Sequence, residues 1–553
     1  MGKRWYKVWP SWVPKSFLVD KPASEYVREW AALTPDRIAL SFYGRDITYH
    51  ELDRSIDAVA WGLVDLGVKK GDRVAVHMEN CPQFVMAYFG IQRAGGVVVP
   101  VNPMFKQAEL EHELNDAGTG TLFGLDSLYP EVEKVRSRTP LRNAILTSLD
   151  AYLPEKAVLA VPREAGTGGR SFPDTISFET FIQKSTSRPL CLVADLRKDL
   201  AVLQYTGGTT GIPKGAMISH YALSSATFVS LYWYHHREND VFMGVAPFFH
   251  VMGQINLMCT PLASGAQVVV LSRFVPEVLA QAVAHYRCTY WVGATPMVIA
   301  LLNLPNLKDY DLSSLRCLWT GGAPISTELQ KKLKDMLPNT VVGEGYGMTE
   351  TMSSGGTCTP LFRYKPGFVG IPEPNVDMKI VDQETGTKEL GENEEGEIII
   401  KADSMMLGYW NRPEETGQVL KDGWLHTGDI GLMDEEGYLK FLGRTRELIK
   451  CSGFSVFPAE VEDLLYRHPA VKEAAIIGVN DPYRGETPKA FIVLKEEYAG
   501  KVKEEEILEW CKDNMAAYKR PRIVEFRQDL PKSAAGKLLR RILAQEEMEQ
   551  KQA

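Results

Sequence analysis

The chain has 553 residues, of which 45% are hydrophobic and 24% charged, and its formal net charge is -8 at pH 7. This length exceeds what one hydrophobic core usually serves, so we expect a large body of packed lobes and at least one further domain. The composition excludes disordered and fibrous proteins. The 62 basic and 70 acidic side chains are well mixed and leave no basic stripe, which excludes nucleic acid as a partner.

Cysteine usage and hydropathy indicate the compartment. The eight cysteines occur singly, without a C-x-x-C pair, as is typical of reduced thiols in a cytoplasmic protein. The sequence has no run of about 18 apolar residues, so we predict no membrane-spanning helix. Contact with a membrane surface through a hydrophobic substrate, and assembly into a homodimer, stay open.

Helices and short apolar strands alternate near the start of the chain. An amphipathic pattern from Tyr49 predicts a helix that stops at Gly67 and is followed by a strand over residues 73–78. A second helix is predicted to end at Gly95, before the apolar strand 97–101. This alternation predicts largely parallel sheets covered by helices on both faces.

The later segments have different patterns. Residues 155–190 are rich in Gly, Pro, Ser and Thr and predict a surface loop. Residues 376–442 predict a small antiparallel β unit. We therefore predict an α/β fold. A large N-terminal domain, residues 1–443, contains two α/β lobes with mostly parallel sheets plus the small β unit, and residues 444–553 form a small, mobile α+β C-terminal domain.

The strongest local pattern is YTGGTTGIPKG at residues 205–215. Its glycines allow backbone N–H groups and hydroxyls to close around phosphate oxygens, and its lysine supplies positive charge. It is not a Walker loop, because Gly-Lys-Ser/Thr is absent. The pattern predicts a loop that holds a triphosphate. We assign to it Thr206, Gly207, Gly208, Thr209, Thr210, Gly211 and Lys214.

This loop resembles the signature of the adenylate-forming superfamily, which includes acyl-CoA synthetases, luciferases and peptide-synthetase adenylation domains. Gly208 is similar to the bacterial long-chain fatty acid ligases in particular. Five further segments resemble the superfamily in the same order, namely TGGAPIS, EGYGMTE, GWLHTGD, GRTRELIKCSGFSVFPAEVE and LPKSAAGKLLRR. The resemblance implies an ATP-dependent fatty acid–CoA ligase that converts acid and ATP to acyl-AMP and pyrophosphate, then forms acyl-CoA and AMP.

The resemblance also implies roles in the first half-reaction. Lys537 bridges the acid carboxylate and the α-phosphate, where negative charges would otherwise repel. Glu350, together with Thr206, holds Mg²⁺, and Thr349 contacts the phosphate of AMP. Asp429 accepts hydrogen bonds from the ribose hydroxyls. The other implied nucleotide contacts are Gly321, Gly322, Ala323, Pro324, Tyr346, Gly347, Met348 and Arg444.

For the second half-reaction the resemblance implies coenzyme A as cosubstrate and a rotation of the C-terminal domain about Arg446. Lys450 then lies near the thioester chemistry, and Gly453 leaves room for the pantetheine arm. His250 corresponds to a residue near the acyl carbonyl. Gln254 occupies the position where some long-chain relatives have a tryptophan gate, so the sequence leaves acyl chain length open. The predicted acyl pocket consists of Val251, Met252, Gly253 and residues 292–298.

Several alternatives remain. The substrate could be an aryl acid of the cinnamate type instead of a fatty acid. The acyl acceptor could differ from coenzyme A, as in adenylation for a carrier protein or in a luciferase-like oxidation. A non-catalytic protein that binds nucleotide or fatty acid is an alternative from another class, but the joint presence of Glu350, Asp429, Arg444 and Lys537 argues against it.

Overall fold

The computed structural model describes residues 3–162, 169–206, 213–321, 327–353, 355–357, 363, 365–451, 454–482, 484–533 and 538–552. For residues 327, 328, 355–357, 446, 454, 455, 551 and 552 only the backbone is described.

Two sheets with parallel centres form the body of the protein. Their central strand pairs are parallel, and antiparallel pairs lie at their edges. The nine-stranded sheet has the order Ile371–Pro372, Gly355–Thr357, Val341–Gly347, Cys317–Gly321, Tyr290–Ala294, Val241–Gly244, Gln267–Val270, Ile38–Phe42, Arg45–Thr48. The seven-stranded sheet has the order Ile176–Ser177, Asn143–Thr147, Thr121–Leu125, Arg73–His77, Val97–Pro100, Leu200–Tyr205, Gly215–Ser219.

Helices cover these sheets. The α-helices of the body are Ala23–Leu33, Tyr49–Asp65, Pro82–Arg93, Gln107–Ala117, Tyr129–Arg136, Phe178–Lys184, His220–Trp233, Val251–Gly253, Thr260–Ala263, Pro276–Tyr286, Thr295–Leu302 and Thr327–Met336. A π-helical segment, Gln254–Cys259, joins two of them. Short 3₁₀ turns are Arg4–Lys7, Leu149–Tyr152, Leu307–Asp309 and Thr349–Thr351.

Local sequence explains the first predicted helix. The Thr48 hydroxyl accepts from the backbone N–H of Glu51, and the Glu51 side chain accepts from the N–H of Thr48, which caps the helix Tyr49–Asp65. Gly67, at φ +81°, lies just beyond its end. The buried strand Arg73–His77 follows and pairs in parallel with Val97–Pro100. Both predicted helix-strand units are confirmed, with ends displaced by one or two residues.

The prediction of a loop over residues 155–190 is wrong in part. The short strand Ile176–Ser177 extends the seven-stranded sheet, and the helix Phe178–Lys184 follows it. The Ser177 hydroxyl accepts from the N–H of Thr180 and caps this helix. Phe178 is buried against Phe123, with ring centroids 6.0 Å apart. The Gly- and Ser-rich composition of residues 155–190 did not indicate the strand and helix over residues 176–184. Burial of aromatic side chains holds these two elements in place.

Two smaller sheets follow. The first is antiparallel throughout and consists of Val376–Val381, Gly396–Ala402, Leu420–Lys421, Trp424–Met433 and Leu439–Arg444, with the helix Pro413–Val419. The second contains Ile449–Cys451, Phe454–Val456, Val471–Asp481, Gly485–Leu494 and Ile523–Phe526. Around it lie the helices Pro458–Leu465, Glu504–Asn514 and Arg540–Gln552 and the turns Thr445–Glu447 and Glu496–Tyr498.

The last part of the chain has hydrophobic clusters of its own. One joins Ile449, Val461, Ile476 and Ile507, and it is separate from the cluster that fills the body. The predicted fold class, two α/β lobes with a small β unit and a small α+β part at the C-terminus, is confirmed. Within the described ranges no helix combines the length and apolar character needed to cross a bilayer.

Candidate active site

A cavity of about 1080 Å³ opens at the carboxyl ends of the parallel strands Cys317–Gly321 and Val341–Gly347. Open α/β sheets generally bind ligands at this edge. The small β unit and the C-terminal part close the cavity from the other side. Of the residues predicted for the site, the cavity brings together Thr206, Lys214, His250, Gly321, Gly347, Met348, Thr349, Glu350, Asp429 and Arg444.

The predicted phosphate loop connects two antiparallel strands. Tyr205 pairs with Gly215, and the N–H of Thr206 donates to the carbonyl of Lys214 at 3.0 Å. Both ends of the loop are therefore held together at the cavity wall. Several predicted site residues lie outside the described residues, namely Gly207, Gly208, Thr209, Thr210, Gly211, Gly322, Ala323, Pro324, Gly453 and Lys537.

Strand register places the predicted ribose carboxylate. Asp429 and Arg444 face each other on neighbouring antiparallel strands, and Arg444 Nε lies 3.2 Å from Asp429 Oδ1. The hydroxyl of Tyr346 donates to Asp429 Oδ2 at 2.9 Å. Burial and the adjacent carboxylate raise the pKa of Tyr346, so this hydroxyl keeps its proton and remains a donor. Contacts from both partners thus orient the Asp429 carboxylate.

The segment that carries Thr349 and Glu350 has an unusual backbone. Met352 and Ser353 have φ values of 51° and 68°, a left-handed conformation that costs free energy in residues other than glycine. A Cβ on Gly347 would overlap the backbone of Ser353, so this position requires glycine. Strained backbone next to a cavity is typical of functional sites.

Glu350 has a partner that the sequence did not reveal. The hydroxyl of Tyr409 donates to Glu350 Oε1 at 2.7 Å, and the N–H of Met406 donates to the carbonyl of Glu350 at 2.8 Å. Tyr409 follows Gly408, which has φ +144° in a turn-rich stretch, but nothing in that pattern points to Glu350.

Glu350 fits a Mg²⁺ ion carried by a nucleotide. The described part of the chain contains no group of three His, Cys, Asp or Glu side chains able to hold a metal. Magnesium commonly binds through one or two carboxylates plus substrate phosphates and water. The Glu350 carboxylate at the cavity, with Thr206 also at its wall, suits that mode.

His250 lies in a tight turn at the cavity. The N–H of Met252 donates to His250 Nδ1 at 3.3 Å, and the N–H of Gln254 donates to the His250 carbonyl at 2.9 Å. A Cβ on Gly253 would overlap the carbonyl of Pro247, so Gly253 allows this turn. Because Nδ1 accepts, a neutral ring carries its proton on Nε2.

Gln254 is buried behind the cavity wall. Its Nε2 donates to Gln204 Oε1 at 3.1 Å and to the carbonyl of Phe248 at 3.3 Å, while its Oε1 accepts from the hydroxyl of Tyr88 at 3.1 Å. Gln254 therefore supports the turn before His250 from outside the described lining of the cavity.

The predicted acyl pocket has an aromatic wall. Met252, Val292 and Ala294 line the cavity as predicted, together with Tyr234 and Trp319, which sequence reasoning missed. The rings of Tyr234 and Trp319 lie 4.6 Å apart, and Trp319 Nε1 donates to the hydroxyl of Tyr290 at 2.9 Å. Trp319 immediately precedes the segment TGGAPIS, which was predicted to contact the nucleotide, and this position is the signal that could have identified it.

The position of Trp319 depends on a glycine in the next strand. Trp319 pairs with Gly343, and a Cβ there would overlap the indole ring. We expect Gly343→Ala to lower the free energy of unfolding by about 2 kcal/mol, because the ring must move in a packed core. Chemical denaturation measures this. The control Gly417→Ala, in the helix Pro413–Val419 with open space around its Cβ, should stabilise the protein or leave it unchanged. Equal effects would contradict the role of Gly343.

The structure describes one of the two lysines predicted to be catalytic. Lys450 is exposed on the strand Ile449–Cys451, outside the described lining of the cavity, and its backbone N–H donates to Glu486 at 2.7 Å. Lys537 is outside the described residues, but Ser533 and Leu539, on either side of it in the sequence, line the cavity.

These features define a class of enzyme in which one cavity, between a large α/β body and a small C-terminal part, holds a nucleotide and a second substrate. Residues 27–410 match the family described as AMP-binding enzyme, and residues 460–537 match the AMP-binding enzyme C-terminal domain. The chain belongs to the AMP-binding enzyme family.

Similar proteins agree with this assignment. The long-chain-fatty-acid–CoA ligase of Bacillus subtilis (strain 168) is 38% identical over 99% of this chain and 98% of its own length. The crystal structure of the anthranilate CoA ligase AuaEII with anthranoyl-AMP has a TM-score of 0.86, 26% identity and coverage of 98% and 99%. The ATP-bound MatB of Rhodopseudomonas palustris has a TM-score of 0.83, 27% identity and coverage of 95% and 99%. The predicted membership of the adenylate-forming superfamily is confirmed.

Proposed function

We propose that this protein is an ATP-dependent fatty acid–CoA ligase that forms an acyl-AMP intermediate. The observation that carries the proposal is the convergence of Lys214, Glu350, Asp429 and Arg444 with the apolar wall beside His250 in one cavity. The similar ligases span nearly the whole chain. The similarity to these ligases and the family match confirm the predicted class of enzyme, an AMP-forming acid–thiol ligase.

In the first half-reaction an acid oxygen attacks the α-phosphate of ATP, the bond to pyrophosphate breaks, and acyl-AMP forms. Lys214, at the end of the phosphate loop, offsets the negative charge of the phosphates. Asp429, oriented by Tyr346 and Arg444, accepts from the ribose hydroxyls. Lys537 supplies the ammonium group between the carboxylate and the α-phosphate.

Glu350 and Thr206 would hold Mg²⁺, which screens the charge of the phosphate oxygens when bound. The hydrogen bond from Tyr409 occupies one carboxylate oxygen of Glu350. The second oxygen would then be the one offered to the metal, in keeping with a hard cation that prefers carboxylates.

In the second half-reaction the thiol sulfur of coenzyme A attacks the acyl carbonyl, AMP leaves, and the thiol proton passes to solvent or a base. Lys537 and the thiol need the same space, so the C-terminal part must move between the two steps. We place the domain boundary at residues 444–446 and the hinge at Arg446, within the turn Thr445–Glu447. The motion brings Lys450 and Gly453 toward the acyl carbonyl.

The hinge leads to a prediction. Arg446→Pro fixes φ at this position and should lower the rate of thioester formation by at least about tenfold while acyl-AMP formation changes little. Single-turnover assays of the two half-reactions measure the ratio of the rate of thioester formation to the rate of acyl-AMP formation. The control Glu496→Pro places proline at the first position of another 3₁₀ turn, Glu496–Tyr498, after the extended residue Lys495. Similar ratios in wild type and Arg446→Pro would argue against domain rotation.

An aryl acid is the second candidate substrate. The rings of Tyr234 and Trp319 offer flat faces to an aromatic acyl group. An assay of AMP release with saturated fatty acids of increasing length and with benzoate- and cinnamate-type acids, each with and without coenzyme A, separates the candidates. Activity with aryl acids alone would replace the fatty acid assignment. Strict dependence on a carrier protein would exclude coenzyme A.

A cytoplasmic location is part of the proposal. The seven cysteines that the structure describes are free thiols, in keeping with a reducing compartment. Membrane contact and homodimer formation stay predictions.

A further inference from the structure

One tyrosine contacts two residues assigned to different tasks. Tyr409 is 9% exposed and lines the cavity. Its hydroxyl donates to Glu350 Oε1 at 2.7 Å, and the ammonium group of Lys214 lies 5.2 Å from the centroid of its ring. A single side chain therefore touches both the carboxylate assigned to Mg²⁺ and the cation assigned to the phosphates.

The backbone near Tyr409 is tied to the same two elements. The N–H of Trp410 donates to the carbonyl of Gly215, the residue after Lys214, at 2.8 Å. The N–H of Met406 donates to the carbonyl of Glu350, also at 2.8 Å. Residues 406–410 thus fix the distance between the end of the phosphate loop and the Glu350 turn, even without the tyrosine side chain.

The partly buried carboxylate of Asp116 anchors this segment from behind. Asp116 accepts from the hydroxyl of Tyr205 at 2.7 Å and from Arg412 Nη2 at 2.9 Å, and its carbonyl accepts from Trp410 Nε1 at 3.1 Å. The start of the phosphate loop and residues 410–412 therefore share one support. Because these contacts remain when the Tyr409 side chain changes, substitutions at Tyr409 should leave the surrounding backbone in place.

Both contacts of Tyr409 restrict the orientation of a neighbouring side chain. A hydrogen bond to one oxygen of a metal-binding carboxylate fixes the plane of the carboxylate and orients the other oxygen. An aromatic face restrains a lysine that would otherwise sample many rotamers. We infer that Tyr409 is a positioning residue that sets Glu350 toward Mg²⁺ and Lys214 toward the phosphates of ATP. The inference rests on the proposed roles of these two residues.

Two variants separate the hydroxyl from the ring. Tyr409→Phe removes the hydrogen bond to Glu350 and keeps the ring, so the free Mg²⁺ needed for half-maximal acyl-AMP formation should rise about tenfold. Its KM for ATP at saturating Mg²⁺ should stay within about twofold of wild type, because the ring beside Lys214 remains. Tyr409→Leu removes both contacts and should also raise the KM for ATP about fivefold.

A binding measurement tests the inference without catalysis. The melting temperature is recorded against Mg²⁺ concentration with a non-hydrolysable ATP analogue, and the Mg²⁺ midpoint of its rise should shift about tenfold in Tyr409→Phe. The matched control is Tyr310→Phe, which removes the exposed hydrogen bond that a tyrosine hydroxyl donates to Glu277 at 3.0 Å and the one that it accepts from Asn306 at 3.2 Å. This control should keep the wild-type midpoint.

The Mg²⁺ midpoint distinguishes a positioning role of Tyr409 from a purely structural role. A wild-type Mg²⁺ midpoint in Tyr409→Phe, or a shift equal to that of Tyr310→Phe, overturns the inference. A lower melting temperature without any change in Mg²⁺ dependence also overturns it, since that result indicates a purely structural role. Failure of the wild-type protein to form acyl-AMP from any acid would instead refute the proposed function, because the binding measurement needs no acid.

Discussion

Replacing Lys537 with alanine is expected to abolish acyl-AMP formation, with a loss of at least about a thousandfold, while thioester formation from supplied acyl-AMP stays largely intact. The reason is electrostatic. Two anions, a carboxylate and an α-phosphate, must approach each other, and in the first step no other positive group is assigned to the space between them. Pyrophosphate exchange into ATP measures the first step, and acyl-CoA formation from synthetic acyl-AMP measures the second.

The segment around Lys537 offers a control. Lys532 precedes it by five residues and forms an ion pair with Glu473, with Lys532 Nζ 2.6 Å from Glu473 Oε2. Lys532→Ala removes an ammonium group from the same segment and should affect both half-reactions by less than about twofold. If Lys537→Ala weakened both half-reactions equally, or Lys532→Ala matched its effect, the assignment of Lys537 would be wrong.

Asp429→Ala is expected to lower kcat/KM for ATP by about a hundredfold, mainly through KM. Asp429 is buried, and its carboxylate is held between the hydroxyl of Tyr346 and the guanidinium of Arg444. Its removal would deprive the ribose hydroxyls of the acceptor proposed for them. Isothermal calorimetry with ATP should show the same loss of affinity, because the lost contact exists before the chemical step.

The control for Asp429→Ala lies in the same β unit. Asp377 is a half-exposed carboxylate that pairs with Lys3 on the outside of the sheet. Asp377→Ala should leave the KM for ATP unchanged, since surface ion pairs contribute little. An unaltered ATP affinity in Asp429→Ala would show that this carboxylate does not bind the ribose.

Much of the site could be predicted because its residues belong to short contiguous segments. The predicted phosphate loop is a single run of sequence between two paired strands, and Gly347 is required by a close approach to Ser353, six residues further along the chain. The helix Tyr49–Asp65 was predictable for the same reason, since its cap uses residues three positions apart. Such interactions depend on neighbours in sequence.

Contacts between distant residues could not be predicted in this way. Tyr409 meets Glu350 across 59 positions, and Tyr346 meets Asp429 across 83. Gln254 occupies the position where some long-chain relatives have a tryptophan gate. In the folded chain its amide group forms hydrogen bonds with Gln204 and Tyr88. A side chain's hydrogen-bond partner depends on which elements pack together, and local composition does not record that.

The sequence by itself determined the α/β class and the order of the elements, because glycines, caps and hydrophobic periodicity act over a few residues. The resemblance of six short segments in one order determined the family and the chemical types of the site residues. Only the tertiary structure decided that Trp319 lies against Gly343 at the cavity wall, that Asp429 is oriented from two sides, and that Tyr409 lies between Lys214 and Glu350. Strand register and packing between distant segments produce these arrangements.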